Sequence, residues 1–249
     1  MARQSSMVKF EGTLGGLTFY KSKDGYLVKE KGGVSGERIR TDPRFARTRE
    51  NGEEFKISAQ SGKMMRDSIR NLMMNASDPR VTSRLTQVMS KIAKLDATSV
   101  RGKRNAANGL LTAGGKALIK SFNFNEKAVL GAIMYKPYVI TPATGVITVA
   151  NLIPATDIVV PTGATHFSIS GAVEFLNMAT GVYDIKSTNV VNSAIGSAVV
   201  PVVLTPTALP VGTGVKLYYL KIEFFQMINA IQYPLKNGAY NSLAVIEVV

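Results

Sequence analysis

Val215-Lys-Leu-Tyr-Tyr-Leu-Lys-Ile-Glu-Phe-Phe-Gln-Met-Ile228 contains no Gly or Pro and is dense in Tyr, Phe, Ile and Leu. Side chains of this kind suit a pleated, half-buried surface, so the stretch reads as a strand. Similar runs surround it: Tyr138–Ile140, Val146–Leu152, Ile158–Pro161, His166–Leu176, Val182–Ser187, Ala198–Thr205 and Ser242–Val249. Turn clusters separate them, at Pro142–Gly145, Pro161–Gly163, Ala179–Gly181 and Asn237-Gly238. Strands at this spacing predict an antiparallel β-sandwich over 123–249, immunoglobulin-like or jelly-roll-like. The terminal strand closes the sandwich or lies at its edge, which makes Val245 and Val248 candidates for strand exchange between chains.

Upstream the texture changes. Val8–Lys31 reads as strand, turn, strand, with Asp24-Gly25 as the turn and Gly12, Gly15 and Gly16 marking a second turn or bulge. A hairpin standing alone is marginal in water. It is therefore expected to pair with another sheet, and Leu17, Phe19, Tyr26 and Val28 are its strand-exchange candidates. Thr41-Asp42-Pro43 and Ser77-Asp78-Pro79 both read as helix starts, a capping side chain followed by Pro in the first turn. The first predicts a helix from Arg44 to about Asn75 with a heptad-like series, Phe45, Thr48, Gly52, Phe55, Ala59, Gly62, Arg66, Ile69 and Met73, whose Gly and Ala members form a stripe suited to close packing. The second opens a clean apolar face of Val81, Leu85, Val88, Met89 and Ile92. Ala107–Phe122 predicts a third, Gly-interrupted helix. The expected fold is α+β: an N-terminal β-hairpin and two to three helices over 1–122, then the sandwich over 123–249.

Charge divides along the same line. Residues 1–122 hold 24 of the 30 Lys and Arg and 11 of the 17 Asp and Glu, so the whole formal net charge of +13 resides there. Arg38, Arg40, Arg44, Arg47 and Arg49 crowd one segment, and Arg101, Lys103 and Arg104 form a second cluster. Such an excess calls for a phosphate, an acidic partner surface or an anionic lipid as its counterpart. These eight residues are the expected contact set.

Chemistry is harder to find. The chain has no Cys and one histidine, His166, set in a strand-like run. A metal site without thiolates needs several His or carboxylates to converge, and the six acids of residues 123–249 are widely spaced. Gly114-Gly115-Lys116 and Gly62-Lys63 lack the remaining residues of a phosphate-binding loop, and no Gly-x-Ser-x-Gly elbow occurs. No enzyme activity, metal or cofactor is expected. No apolar run is long enough to span a membrane. The first ten residues lack the apolar core of a signal peptide, which points to synthesis in the cytoplasm.

Gly12-Thr-Leu-Gly-Gly-Leu-Thr-Phe-Tyr20, then Asp24-Gly25, then Arg47-Thr-Arg-Glu-Asn-Gly-Glu-Glu-Phe55, resembles a group of small uncharacterised proteins. These come from Bacteroidetes-type bacteria and their mobile elements. They combine a glycine-rich hairpin, an Arg-Glu-Asn helix and a C-terminal β domain. The resemblance implies no activity or site residue, and favours a phage or phage-like structural component.

Two functions are carried forward. The first is a non-enzymatic subunit of a repetitive assembly of copies of this chain, in a virion or an extracellular filament, with the basic N-terminal half making the intersubunit contacts. The second is a sequence-independent nucleic-acid-binding protein using the same basic half.

Overall fold

A computed structural model describes residues 2–249, apart from the side chains of residues 236 and 237. The chain is α+β with antiparallel strands. It forms two compact units whose division falls between Arg49 and Glu50.

The first unit is a four-stranded sheet. Its strands are β1 (Ala2–Arg3), β2 (Gly12–Leu14), β3 (Leu17–Ser22) and β4 (Gly25–Glu30), in the order β1-β4-β3-β2. Gly15-Gly16 joins β2 to β3, with Leu14 facing Leu17. The next turn is Lys23-Asp24, one residue earlier than the sequence suggests, because Ser22 pairs with Gly25. Gly25 takes φ +104° there, a conformation that L side chains rarely adopt. Helix α1 (Gly36–Thr41) follows, its first turn capped by the Ser35 hydroxyl accepting from the Arg38 N–H at 3.2 Å. Asp42 then caps a 3-10 turn, Pro43–Phe45, which leads into α2 (Ala46–Ser68). The helix start at Asp42-Pro43 is thus where the capping signature puts it.

The second unit begins within α2. Its further helices are α3 (Arg70–Met73), α4 (Val81–Ala93), α5 (Ala106–Leu110), α6 (Ala113–Ile119), α7 (Leu130–Ile133) and α8 (Pro154–Asp157). Its strands are β5 (Val139–Thr141), β6 (Val146–Leu152), β7 (His166–Asn177), β8 (Val182–Ser187), β9 (Val191–Ala194), β10 (Val200–Leu204), β11 (Val215–Ile228), β12 (Ile231–Pro234) and β13 (Ser242–Val248). The long strands β7 and β11 pair along their whole length, from Val215 opposite Leu176 to Phe225 opposite His166. On the outer side of β11, β13 and β12 lie end to end; on the outer side of β7, β8 and β9 do the same. A smaller sheet runs β10-β6-β5.

Each face of the six-stranded sheet has its own core. Alternation in β7 and β11 sends Ala172, Leu176, Leu217 and Tyr219 to one face, where they pack on Met65, Leu85, Met89 and Ile92 of the helices. Val173, Tyr218, Leu220 and Ile222 point the other way, onto Ile147, Val149, Val202 and Leu204 of the smaller sheet. Each such buried side chain contributes about 1.5–3 kcal/mol. The helices of 50–122 therefore share a core with the strands of 166–248. The expected division at 122/123 is not where the compact units part.

Other boundaries move for local reasons. Helix α2 ends at Ser68 and a separate turn follows, while the third predicted helix is split at Leu111-Thr112 into α5 and α6. Ile158 makes only an isolated bridge to Met134, so Ile158–Pro161 is not a strand. The buried face of α2 is Ser58, Ser61, Gly62, Met65 and Ser68. It shares Gly62 alone with the series expected within that helix, since Gly52 and Phe55 are exposed. Buried serines are tolerable because each hydroxyl donates to its own helix, Ser58 to Glu54 O (2.8 Å), Ser61 to Ile57 O (3.1 Å) and Ser68 to Met65 O (3.0 Å). Among the described residues no helix is long and apolar enough to cross a membrane.

Candidate functional site

Most of the eight basic residues are engaged within their own unit. Arg38 pairs with Asp42 at 3.2 Å, and Arg40 pairs with Glu37. Arg49 donates through Nη1 to the carbonyls of Ile39 (2.7 Å) and Asp42 (3.0 Å), tying α1 to the start of α2. Arg101 meets Glu50 at 3.0 Å and Arg104 meets Glu54 at 3.1 Å, while Glu54 also accepts the Gly102 N–H at 2.8 Å. The Arg101–Arg104 loop is thus pinned to α2. Arg44, Arg47 and Lys103 are exposed, and Arg44 and Lys103 have no ion pair among the described residues. Exposed pairs contribute little stability, roughly 0–1 kcal/mol. They do neutralise the charge that a phosphate backbone would otherwise meet. Arg38, Arg40, Arg49, Arg101 and Arg104 of the expected contact set are thus partnered within their own units.

The strand-exchange candidates are already paired within the chain. Val245 and Val248 are buried, and the outer edge of β13 is occupied. Ser121 N–H donates to Val245 O (2.8 Å), Val245 N–H to Phe122 O (3.0 Å) and Phe124 N–H to Leu243 O (2.8 Å). Leu17 and Phe19 lie on β3, whose edge toward β2 is paired at both residues, and Val28 of β4 pairs with Ala2. The Tyr26 carbonyl accepts the Gln4 N–H at 3.0 Å. These four residues offer no free edge.

They do share a face. Residues directly opposite one another in an antiparallel pair point to the same side. Leu14, Leu17, Phe19, Tyr26 and Val28 accordingly form one apolar surface of the four-stranded sheet. Phe10 packs edge-on against Phe19, ring centroids 6.0 Å apart. The opposite side carries Thr13, Thr18, Tyr20, Leu27 and Lys29, the Lys29 ammonium lying 5.4 Å from the Tyr20 ring centre. No described residue of the first unit is buried: Leu14 is 76% exposed, Phe10 56% and Leu17 41%. Shallow clefts of about 280 Å³ beside Phe10, Leu14 and Phe19 and about 450 Å³ beside Ala2, Leu17 and Val28 mark the apolar side. The sequence signalled the residues; it did not signal that they gather on a face and not at an edge.

Titratable groups with shifted behaviour lie in the second unit. Burial pushes the Glu174 carboxyl up to about 7, against the pull of the Tyr219 hydroxyl. Tyr219 donates to Glu174 Oε2 at 2.6 Å, while Oε1 has no hydrogen-bond partner among the described residues. Glu174 is fully buried between the strands and α2, out of reach of a substrate. Burial would also raise Asp78, but the N–H groups of Glu126 and Arg80 and the Arg84 guanidinium outweigh it and hold the carboxyl below its ordinary range. Asp96 is held low in the same way by Thr98 and Ser99, and it also accepts from Asn105 and Asn108 at 3.2 Å, fixing the loop between α4 and α5. His166 is half-buried in β7, with Nδ1 3.0 Å from the Thr165 hydroxyl. Among the described residues no three His or carboxylates gather as metal ligands would.

No protein-family model, no curated protein and no solved structure matches this chain.

Proposed function

We propose that the protein is a non-enzymatic structural subunit of a self-assembling repetitive structure, a phage virion component or an extracellular filament. The N-terminal unit makes the contacts between copies. One observation carries the reading: a sheet with one apolar face and no buried residue. A chain of about 60 residues that folds alone buries about 60% of its unfolded surface, and a sheet needs a packed face to be stable. Such a unit is completed by something placed against it. In this reading the two facing sheets of the second unit are a sandwich of the immunoglobulin or jelly-roll kind that supplies the shell or shaft. The resemblance of the first residues to mobile-element proteins accords with it, and the final location is then the particle or filament.

Light scattering behind size exclusion, with negative-stain imaging of the same fractions, tests the proposal. Mass that climbs with concentration and regular particles or fibres are expected. The nucleic-acid reading draws on the net charge alone, and the pairing of Arg38, Arg40, Arg101 and Arg104 speaks against it. A gel shift of single- or double-stranded nucleic acid at low salt, lost steeply as salt rises, would revive it.

A further inference from the structure

The assembly reading leaves open what covers the apolar side of the N-terminal sheet, and the charge pattern on that side answers it. The strand residues there are Ala2, Gly12, Leu14, Leu17, Phe19, Lys21, Tyr26, Val28 and Glu30. Two of them are charged, Lys21 and Glu30, with opposite sign. They lie at opposite ends of the β3–β4 pair: Lys21 opposite Tyr26 near the Lys23-Asp24 turn, Glu30 opposite Leu17 at the far end. Four residues separate the two ends along a strand, about 13 Å. Between them the surface is apolar. The Lys21 ammonium lies 5.5 Å from the Tyr26 ring centre, and Glu30 has no ion pair among the described residues.

We propose that a second copy of this chain covers the face, the two sheets packing apolar side to apolar side about a two-fold axis that runs across the strands. That operation reverses strand direction. It sets Lys21 of each copy against Glu30 of the other, so both charges are matched twice over with Leu17, Phe19 and Val28 enclosed between them. Packing with the strands parallel would instead bring Lys21 to Lys21 and Glu30 to Glu30, so the pattern excludes it by repulsion. The spacing suits the pairing: packed sheets lie about 10 Å apart with strands within about 30° of one another. A Lys and a Glu side chain together span that gap. The face is roughly 20 Å on a side, four strands wide, or about half the usual patch per partner. The contact is accordingly weak alone, as befits one of several repeated contacts in a lattice.

This inference rests on the assembly reading, and a charge-swap series on the full-length chain tests it apart from that reading. Wild type, Lys21→Glu, Glu30→Lys, the double swap and an equimolar mixture of the two single variants are compared by sedimentation equilibrium. Each single variant places like charges at both ends and should self-associate at least tenfold more weakly. The mixture should associate again, since one chain then carries two Lys and the other two Glu, and the double swap should behave as wild type. Single variants that associate like wild type, or a mixture that stays apart, would overturn the face while leaving assembly through another surface. A wild-type chain monomeric at every soluble concentration would overturn both. Leu17→Cys, a unique thiol in a chain with no cysteine, adds the remaining arm. A monomer in which that thiol resists labelling would put another part of the same chain on the face and end the proposal.

Discussion

Glu174 is the residue whose chemistry most affects stability. Its carboxyl, ordinarily titrating near 4.5, is pushed up to about 7 by burial. The folded chain therefore holds a proton that the unfolded chain has released between those values. Stability is greatest below about pH 4.5 so far as this group is concerned, falls as pH rises to about 7, and levels off above it. A shift of this size corresponds to about 3 kcal/mol. Glu174→Gln keeps an oxygen for the Tyr219 hydroxyl and removes the titration. Urea unfolding at pH 5 and pH 8 should show the wild-type midpoint dropping and the variant's hardly moving, with the variant the more stable at pH 8. Equal pH responses would mean that Glu174 is not what titrates. Nothing in the stretch around Glu174 reveals this burial, because a carboxylate in a strand ordinarily marks the wet face. Likewise Arg101 and Arg104 look like free charge in sequence, and only the fold returns Glu50 and Glu54 to them across fifty residues.

At the scale of elements, the glycines separate what the sequence could show from what it could not. The stripe on α2 was read from small residues at helical spacing, and the helix does pack through small residues. They are mainly serines, whose hydroxyls look polar until their donation to the preceding turn is seen. Gly52 meets nothing within 4 Å, so Gly52→Ala should stabilise by up to about 1 kcal/mol through helix propensity. Gly109 in α5 is the opposite case. A Cβ there would lie 2.0 Å from the Ile92 carbonyl oxygen, because α5 crosses the end of α4 backbone to backbone. Gly109→Ala should cost several kcal/mol, at the upper end of single-residue effects. Thermal melts of the two variants check both signs. Among the strands, Val146–Leu152, Val182–Ser187 and Val215–Ile228 were legible to the residue, each starting directly after a glycine, Gly145, Gly181 or Gly214. β9 and β12 were not. Val191–Ala194 and Ile231–Pro234 are short, and they are held by the ends of β7 and β11 more than by their own composition.

The whole molecule sets a small, coreless, basic unit beside a large unit with two cores. Residues 1–49 hold 11 Lys and Arg against 5 Asp and Glu, and one face of their sheet is apolar. The segregated charge was visible in the sequence. The true division at Arg49/Glu50 was not, since helical periodicity continues unbroken through it in α2. Both cores lie beyond that division. Removing residues 1–45, just ahead of α2, should therefore leave the melting temperature of the remaining chain within a few degrees while abolishing self-association. The central claim is that copies of this protein complete one another, and the weight-average mass of the full chain as a function of concentration tests it most directly. Sedimentation equilibrium should give a mass that rises steadily above the 26.8 kDa of one chain. A mass fixed at that value up to the solubility limit would contradict the account.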